Sequence, residues 1–188
     1  MRKKSKSVNF SIVYGTTEMG LSDNLEISEE EALMYINSYM ETYPGVAKWI
    51  KDTQKQIREK SYVETMLGRK RRLYPEVNSG QRWLLESAYR MGTNYCIQAS
   101  AAEMTKKAAL DLRPLLKKYD CNIVLYIHDE LLFDIPENLG MGPLREMANV
   151  MCNAIPLKCG MTSDIEISKR WGQRMSDNDL SELFEEGD

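Results

Sequence analysis

The sequence predicts an α/β fold of the α+β kind, mainly helical at first and then closing on a small antiparallel sheet. Three observations predict it. Helical patterning covers residues 2–14, 29–43, 45–60, 80–111 and 143–153. Short β-prone runs come in pairs, Tyr62–Thr65 with Leu73–Tyr74 and Asn122–Ile127 with Leu131–Ile135. The first pair flanks a basic turn at Gly68, and the second carries an acidic triplet between its strands, as a hairpin does.

Each element has a local reason. Arg2, Lys6, Phe10 and Tyr14 recur every four residues, which puts them on one slowly drifting ridge of a helix. Gly15 and Gly20 then open a loop. Ser28 followed by Glu31 is a capping box, so a helix starts near Glu29. It ends by Tyr43, because Pro44 restricts the residue before it. A further helix covers residues 45–60, with Val46, Trp49, Ile50 and Ile57 on one face. Two short strands flank a basic turn at Gly68. The long helix of residues 80–111 is expected to bend near Gly92, and Pro114 limits its continuation. After the second hairpin come a helix over 143–153 and a last strand holding Ile165 and Ile167. The tail past Met175 is acidic and thin in apolar residues, which predicts disorder.

Composition narrows the function classes. A chain of 188 residues suits one domain or two small lobes. Its 43% hydrophobic and 28% charged content is that of a soluble globular protein, and no apolar run approaches a membrane span. No secretory signal follows Met1. Cys96, Cys121, Cys152 and Cys159 show no C-x-x-C spacing and read as reduced, mostly buried thiols of a cytosolic protein. One histidine and scattered cysteines make no zinc ligand set. The net charge of −3 argues weakly against nucleic acid, but the distribution argues the other way. Arg2, Lys3, Lys4 and Lys6 cluster at the start and Arg69–Arg72 form a second knot, while acids gather at 26–31 and 177–188. Local patches set phosphate affinity, not the total.

Residues 126–133 read YIHDELLF and contain the only histidine. Apolar runs on both sides predict a buried hairpin with His128, Asp129 and Glu130 at its turn. Adjacent carboxylates there suit a divalent cation, since Mg²⁺ takes one or two carboxylates plus substrate phosphates. A solvated acidic turn is the plain alternative. The ridge of Arg2, Lys6, Phe10 and Tyr14 offers two cations for a triphosphate and two rings for sugar and base. Its plain alternative is a basic tail entering an amphipathic helix. Arg69–Arg72 suit phosphates or simple solvation. Arg90, Asn94 and Gln98 step by four along the long helix, as an exposed polar face or as donors to base and sugar edges. No nucleophile elbow supports a Ser-His-Asp triad.

In their order these motifs resemble those of the family A (DNA polymerase I-like) DNA polymerases. RKKSKSVNFSIVYG matches the family's motif B on the fingers helix. YVETMLGRKRRLYPEVNS resembles the segment that closes the fingers, ESAYRMGTNYCIQASAAEM the following helix, and LYIHDELLF motif C of the palm. The resemblance covers about residues 2–175. It implies a fingers subdomain over 1–88, the C-terminal part of the palm over 89–175, and the acidic tail at 176–188.

The resemblance also implies roles. Asp129 would be a metal ligand and Glu130 a neighbouring acid of lesser weight. His128 would lie by the primer terminus. Lys6 would contact the triphosphate and give a proton to pyrophosphate, and Arg2 would hold the γ-phosphate side. Phe10 would sit at the sugar, as in members that disfavour dideoxynucleotides, and Tyr14 would gate the template slot. Arg90, Asn94 and Gln98 would contact DNA. The cofactor would be two Mg²⁺ ions, and the partners primer-template DNA and dNTPs, with no membrane.

Ser11 and Ala99 stand where the family usually has glycine. Nothing resembles the family's motif A, D-Y-S-x-x-E, which carries the other metal-binding aspartate. The expectation is therefore the C-terminal piece of a split polymerase, active only with a second chain that carries thumb and motif A; a truncated or interrupted gene is the other explanation. Split replication genes point to a phage source, hence to the host cytoplasm; otherwise the expected location is cytoplasmic. The rival expectations are an inactive remnant that binds nucleic acid or nucleotide, and a subunit that only docks on a polymerase.

Overall fold

The structure, a computed structural model, describes residues 2–173, with side chains from Val8 onward. It consists of two compact units. One ends at Ser100 and the other starts at Ala101, so the division falls within a single long helix.

The first unit opens with α1 (Arg2–Val13), α2 (Glu18–Leu25), α3 (Glu29–Thr42) and α4 (Pro44–Lys60). Ser28 caps α3 as expected, its hydroxyl accepting from the Glu31 amide at 3.1 Å. Tyr43 ends α3, and Pro44 begins α4 at the position where a missing N–H costs nothing. Residues 16–25 are a correction. Gly20 lies inside α2, because the Thr17 hydroxyl accepts from the Gly20 amide and caps a helix there. Leu21 then completes a core with Ile12 and Ala32, packed by Val8, Leu25, Ile36 and Tyr39.

Strands β1 (Tyr62–Glu64) and β2 (Lys70–Arg72) form a two-stranded antiparallel hairpin. The second expected strand is displaced. Leu73 and Tyr74 do not extend as a strand, and Tyr74–Val77 forms the one-turn helix α5. Leu73 is drawn inward instead, into a core with Ile57, Val63 and Ala88. Helix α6 (Arg82–Asp111) crosses that core through Gly92. A Cβ at Gly92 would stand 2.5 Å from Ile57 Cδ1, so the glycine permits close approach of α4 and α6.

In the second unit the chain turns helical again directly after α6, as α7 (Arg113–Tyr119). Pro114 sits in its first turn, where proline is tolerated, rather than ending helical structure. Strands β3 (Asn122–Ile127) and β4 (Glu130–Asp134) pair antiparallel, with a register shift between Ile123 and Leu125. Helix α8 (Met141–Asn153) covers one side, and Leu112, Leu131 and Met147 form the core. The other side is a second correction. β3 is not a buried strand: Val124, Leu125 and Tyr126 are exposed. No strand forms at Ile165 and Ile167, where residues 161–168 have no regular structure. The cysteines divide, with Cys121 buried, Cys96 and Cys152 half-buried and Cys159 exposed. The acidic tail expected at 176–188 lies outside the described residues. No helix among the described residues is long and apolar enough to cross a membrane.

Candidate nucleotidyl-transfer site

In the second unit, the β3–β4 hairpin closes on the pair Ile127 and Glu130, leaving His128 and Asp129 as a two-residue turn. His128 has φ of 52°, the left-handed backbone that such tight hairpin turns use. Histidine pays a modest cost there that the flanking ladder overrides. The result is local and chemical: His128, Asp129 and Glu130 are all exposed side by side at the tip. Glu130 belongs to β4 itself, one residue earlier than the strand expected from the sequence.

Two contacts hold that tip. Leu131 and Phe133 point into the core with Ile123. Tyr126 donates its hydroxyl to the Ala102 carbonyl at 3.1 Å, tying β3 to α6. Sequence reading missed Tyr126, since an aromatic in an apolar strand gives no sign of its polar partner. Among the described residues, no group of three or more His, Cys, Asp or Glu is placed to hold a metal ion. The donor set at the turn is one or two open carboxylates. That suits Mg²⁺, which keeps waters and takes its remaining ligands from substrate phosphates, and not a closed protein cage.

In the first unit, α1 carries Arg2, Lys6 and Phe10 at successive four-residue steps along its backbone. Tyr14 lies one residue past its end but keeps the helical hydrogen bond to the Phe10 carbonyl at 3.0 Å. The rings of Phe10 and Tyr14 are 5.9 Å apart and tilted by 33°, an ordinary aromatic pair. Phe10 is 48% exposed, so its ring is presented outward rather than spent on the core.

Gly15 follows with φ of 80° and packs on α6, where a Cβ would stand 3.4 Å from Arg90 Cγ. The turn thus sets the aromatic end of the ridge beside Arg90. Arg90 and Gln98 are exposed and Asn94 lies half-buried between them. The Asn94 amide oxygen is buried and finds no donor among the described residues. A buried unpaired amide oxygen is costly and calls for an explanation, such as a ligand's donor.

The basic knot is a hairpin. Lys70 stands 3.3 Å from the Glu64 carboxylate and 4.7 Å over the Tyr62 ring. These partners raise the Lys70 pKa, the Glu64 hydrogen bond first. Arg71 lies over Tyr95 at 5.5 Å. The tip is fixed by Ser100, whose hydroxyl accepts from the Met66 amide at 3.0 Å and donates to the Cys96 carbonyl at 2.6 Å. Ser100 was also invisible in the sequence, because its partner lies 34 residues away.

The aromatic ridge and the polar helix face lie in the first unit, and the exposed acidic hairpin turn in the second. Comparison with known proteins gives the family. The model of DNA polymerase family A matches residues 1–173, and the chain belongs to that family. It is similar to the thermostable DNA polymerase I of Thermus filiformis, 35% identical over 177 residues, which are 94% of this chain and 21% of that protein. It is also similar to DNA polymerase I of Bacillus caldotenax, 36% identical over 173 residues, 91% of this chain and 20% of that protein. Among solved structures it resembles the POL domain of Pol1 from M. smegmatis in complex with DNA primer-template and dNTP. There the TM-score is 0.78 and the identity 35%, over 83% of this chain and 28% of that one. The chain therefore spans about a fifth of the length of the curated relatives it matches.

Proposed function

We propose that this chain supplies the fingers and the C-terminal part of the palm to a DNA-directed DNA polymerase that transfers nucleotides with two Mg²⁺ ions. The observation that carries this is the exposed His128–Asp129–Glu130 turn, set within a segment that belongs to family A. Residues 1–88 act as fingers and 89–175 as palm. The likeness to a polymerase domain solved with primer-template and dNTP supports these same partners here.

Asp129 is the residue that would hold metal, with Glu130 as an accessory acid. The metals supply charge neutralisation at the transferring phosphoryl group and activation of the attacking hydroxyl. The chain's own residues do the rest. Arg2 and Lys6 bind the triphosphate, Phe10 and Tyr14 pack the sugar and base, and His128 lies by the primer end. Arg90, Asn94 and Gln98 contact DNA, and the orphaned Asn94 oxygen supports that role.

One aspartate does not hold two metals, so a further carboxylate has to come from a motif A segment outside these 188 residues. We infer that it arrives on a segment that also carries the thumb. The outer face of β3–β4 supports this, since Val124 and Leu125 leave apolar surface and an unpaired strand edge uncovered within the second unit. The test is primer extension by the 188-residue chain, by a polypeptide carrying thumb and motif A, and by the mixture. Extension only by the mixture is expected. Robust extension by the chain alone overturns the reading.

A further inference from the structure

We propose that the outward face of the β1–β2 hairpin, continued by Tyr74, is a contact surface for single-stranded nucleic acid. This rests on the polymerase reading and names the form of nucleic acid that a second part of the first unit takes. Strand alternation puts Lys70 and Arg72 on one side of β2 and Arg71 on the other. Burial settles which side faces in. Val63, the cross-strand partner of Arg71, is wholly buried, and Leu73 is buried beside it. Positions 70 and 72 therefore share the outward side with Tyr62 and Glu64. Two residues of strand advance about 6.6 Å, so the two cations stand at that step, and Tyr74, which opens α5 two residues beyond Arg72, is 66% exposed.

This surface is built rather than loose. Lys70 rests on the Tyr62 ring and Glu64, and Tyr62 pairs directly with Arg72 in register. Tyr74 is held by the α5 turn, its carbonyl accepting from the Asn78 amide group at 2.9 Å. The same amide reaches the Ser61 hydroxyl at 3.4 Å, linking α5 to the base of β1. Side chains already held in place lose less entropy on meeting a phosphate. Lys70, Arg71 and Arg72 of β2 face the single carboxylate of Glu64 across the ladder, so the hairpin suits a polyanion. A strongly exposed tyrosine adds what phosphate binding alone does not need: a platform for an unstacked base, which a duplex does not offer.

The experiment measures binding of a labelled oligothymidylate of about 12 nucleotides to the 188-residue chain by fluorescence anisotropy, over a range of salt, with duplex of equal length in parallel. Tyr74→Ala should weaken binding about five-fold or more, and Tyr74→Trp should retain it. Arg72→Gln should lower the slope of log affinity against log salt by about one. Single-strand binding unchanged by Tyr74→Ala overturns the proposal. So does a Tyr74→Trp protein as weak as Tyr74→Ala, or duplex binding with equal sensitivity to Tyr74. Primer extension by the assembled enzyme is read separately, so failure of this surface and failure of the polymerase reading give different results.

Discussion

Replacing Gly92 by alanine tests the packing that joins α4 to α6. A Cβ there would stand 2.5 Å from Ile57 Cδ1, 3.1 Å from Leu73 Cδ1 and 3.2 Å from Ile57 Cγ1. Ordinary carbon contacts lie at about 3.5–4.0 Å, so the new methyl overlaps Ile57 by roughly 1 Å. The overlapped atom ends a side chain, which elsewhere would swing aside. Here Ile57 is 0% exposed and packed among Val63, Leu73 and Ala88, which leaves it no free rotamer space. Overpacking of this kind costs about 1–3 kcal/mol. Against it, alanine gains about 0.5–1 kcal/mol over glycine inside a helix. The net expectation is a loss of about 1–2 kcal/mol, read as a lower urea midpoint at unchanged slope. Ile57→Val removes the overlapped Cδ1 and alone costs about 0.5–1.5 kcal/mol. Combined with Gly92→Ala it should cost less than the sum, with a coupling of at least about 0.5 kcal/mol. A Gly92→Ala protein as stable as the parent, or strict additivity in the double variant, refutes the account.

Asp129→Ala in the assembled polymerase should cut the extension rate by about three decades or more while DNA binding persists, and Glu130→Ala should do less. Near-normal turnover after Asp129→Ala would reduce the triplet to a solvated turn. Phe10→Tyr should raise dideoxynucleotide incorporation relative to deoxynucleotide by about one to two decades, because a hydroxyl there replaces a lost hydrogen bond; an unchanged ratio of incorporation efficiencies would mean that the ridge does not face the sugar. On its own the 188-residue chain should self-associate through the exposed face of Val124 and Leu125, and sedimentation showing one monodisperse monomer would count against an uncovered β3–β4 edge. Burial raises the thiol pKa of Cys96 and of Cys121, and the carboxylates of Asp120 and Asp134 add to it at Cys121. Both thiols stay protonated to higher pH, so iodoacetamide near pH 8 should modify the exposed Cys159 well before either; mass mapping that finds Cys121 modified first would refute this.

The sequence by itself determined the helices whose signals are local. The Ser28–Glu31 box and Pro44 bracket α3, and the hydroxyl bond and the proline position occur where those residues stand. It also placed His128 and Asp129 at a hairpin turn, because apolar runs on both sides left them nowhere else to go. Tertiary structure decided the rest. Leu73 reads equally as strand or core, and the space beside Gly92 drew it inward and cost β2 a residue. Gly20 reads as a loop until a Thr17 cap and a core site for Leu21 make it helical. β3 reads as buried because Val124 and Leu125 are apolar, but α8 and α7 cover only one of its two faces. Tyr126, Asn94 and Ser100 acquired their meaning from partners distant in sequence, or from the lack of one. Local propensity and capping act within a few residues of the chain. Burial and hydrogen-bond satisfaction depend on what the fold brings alongside, and no spacing in the sequence states that.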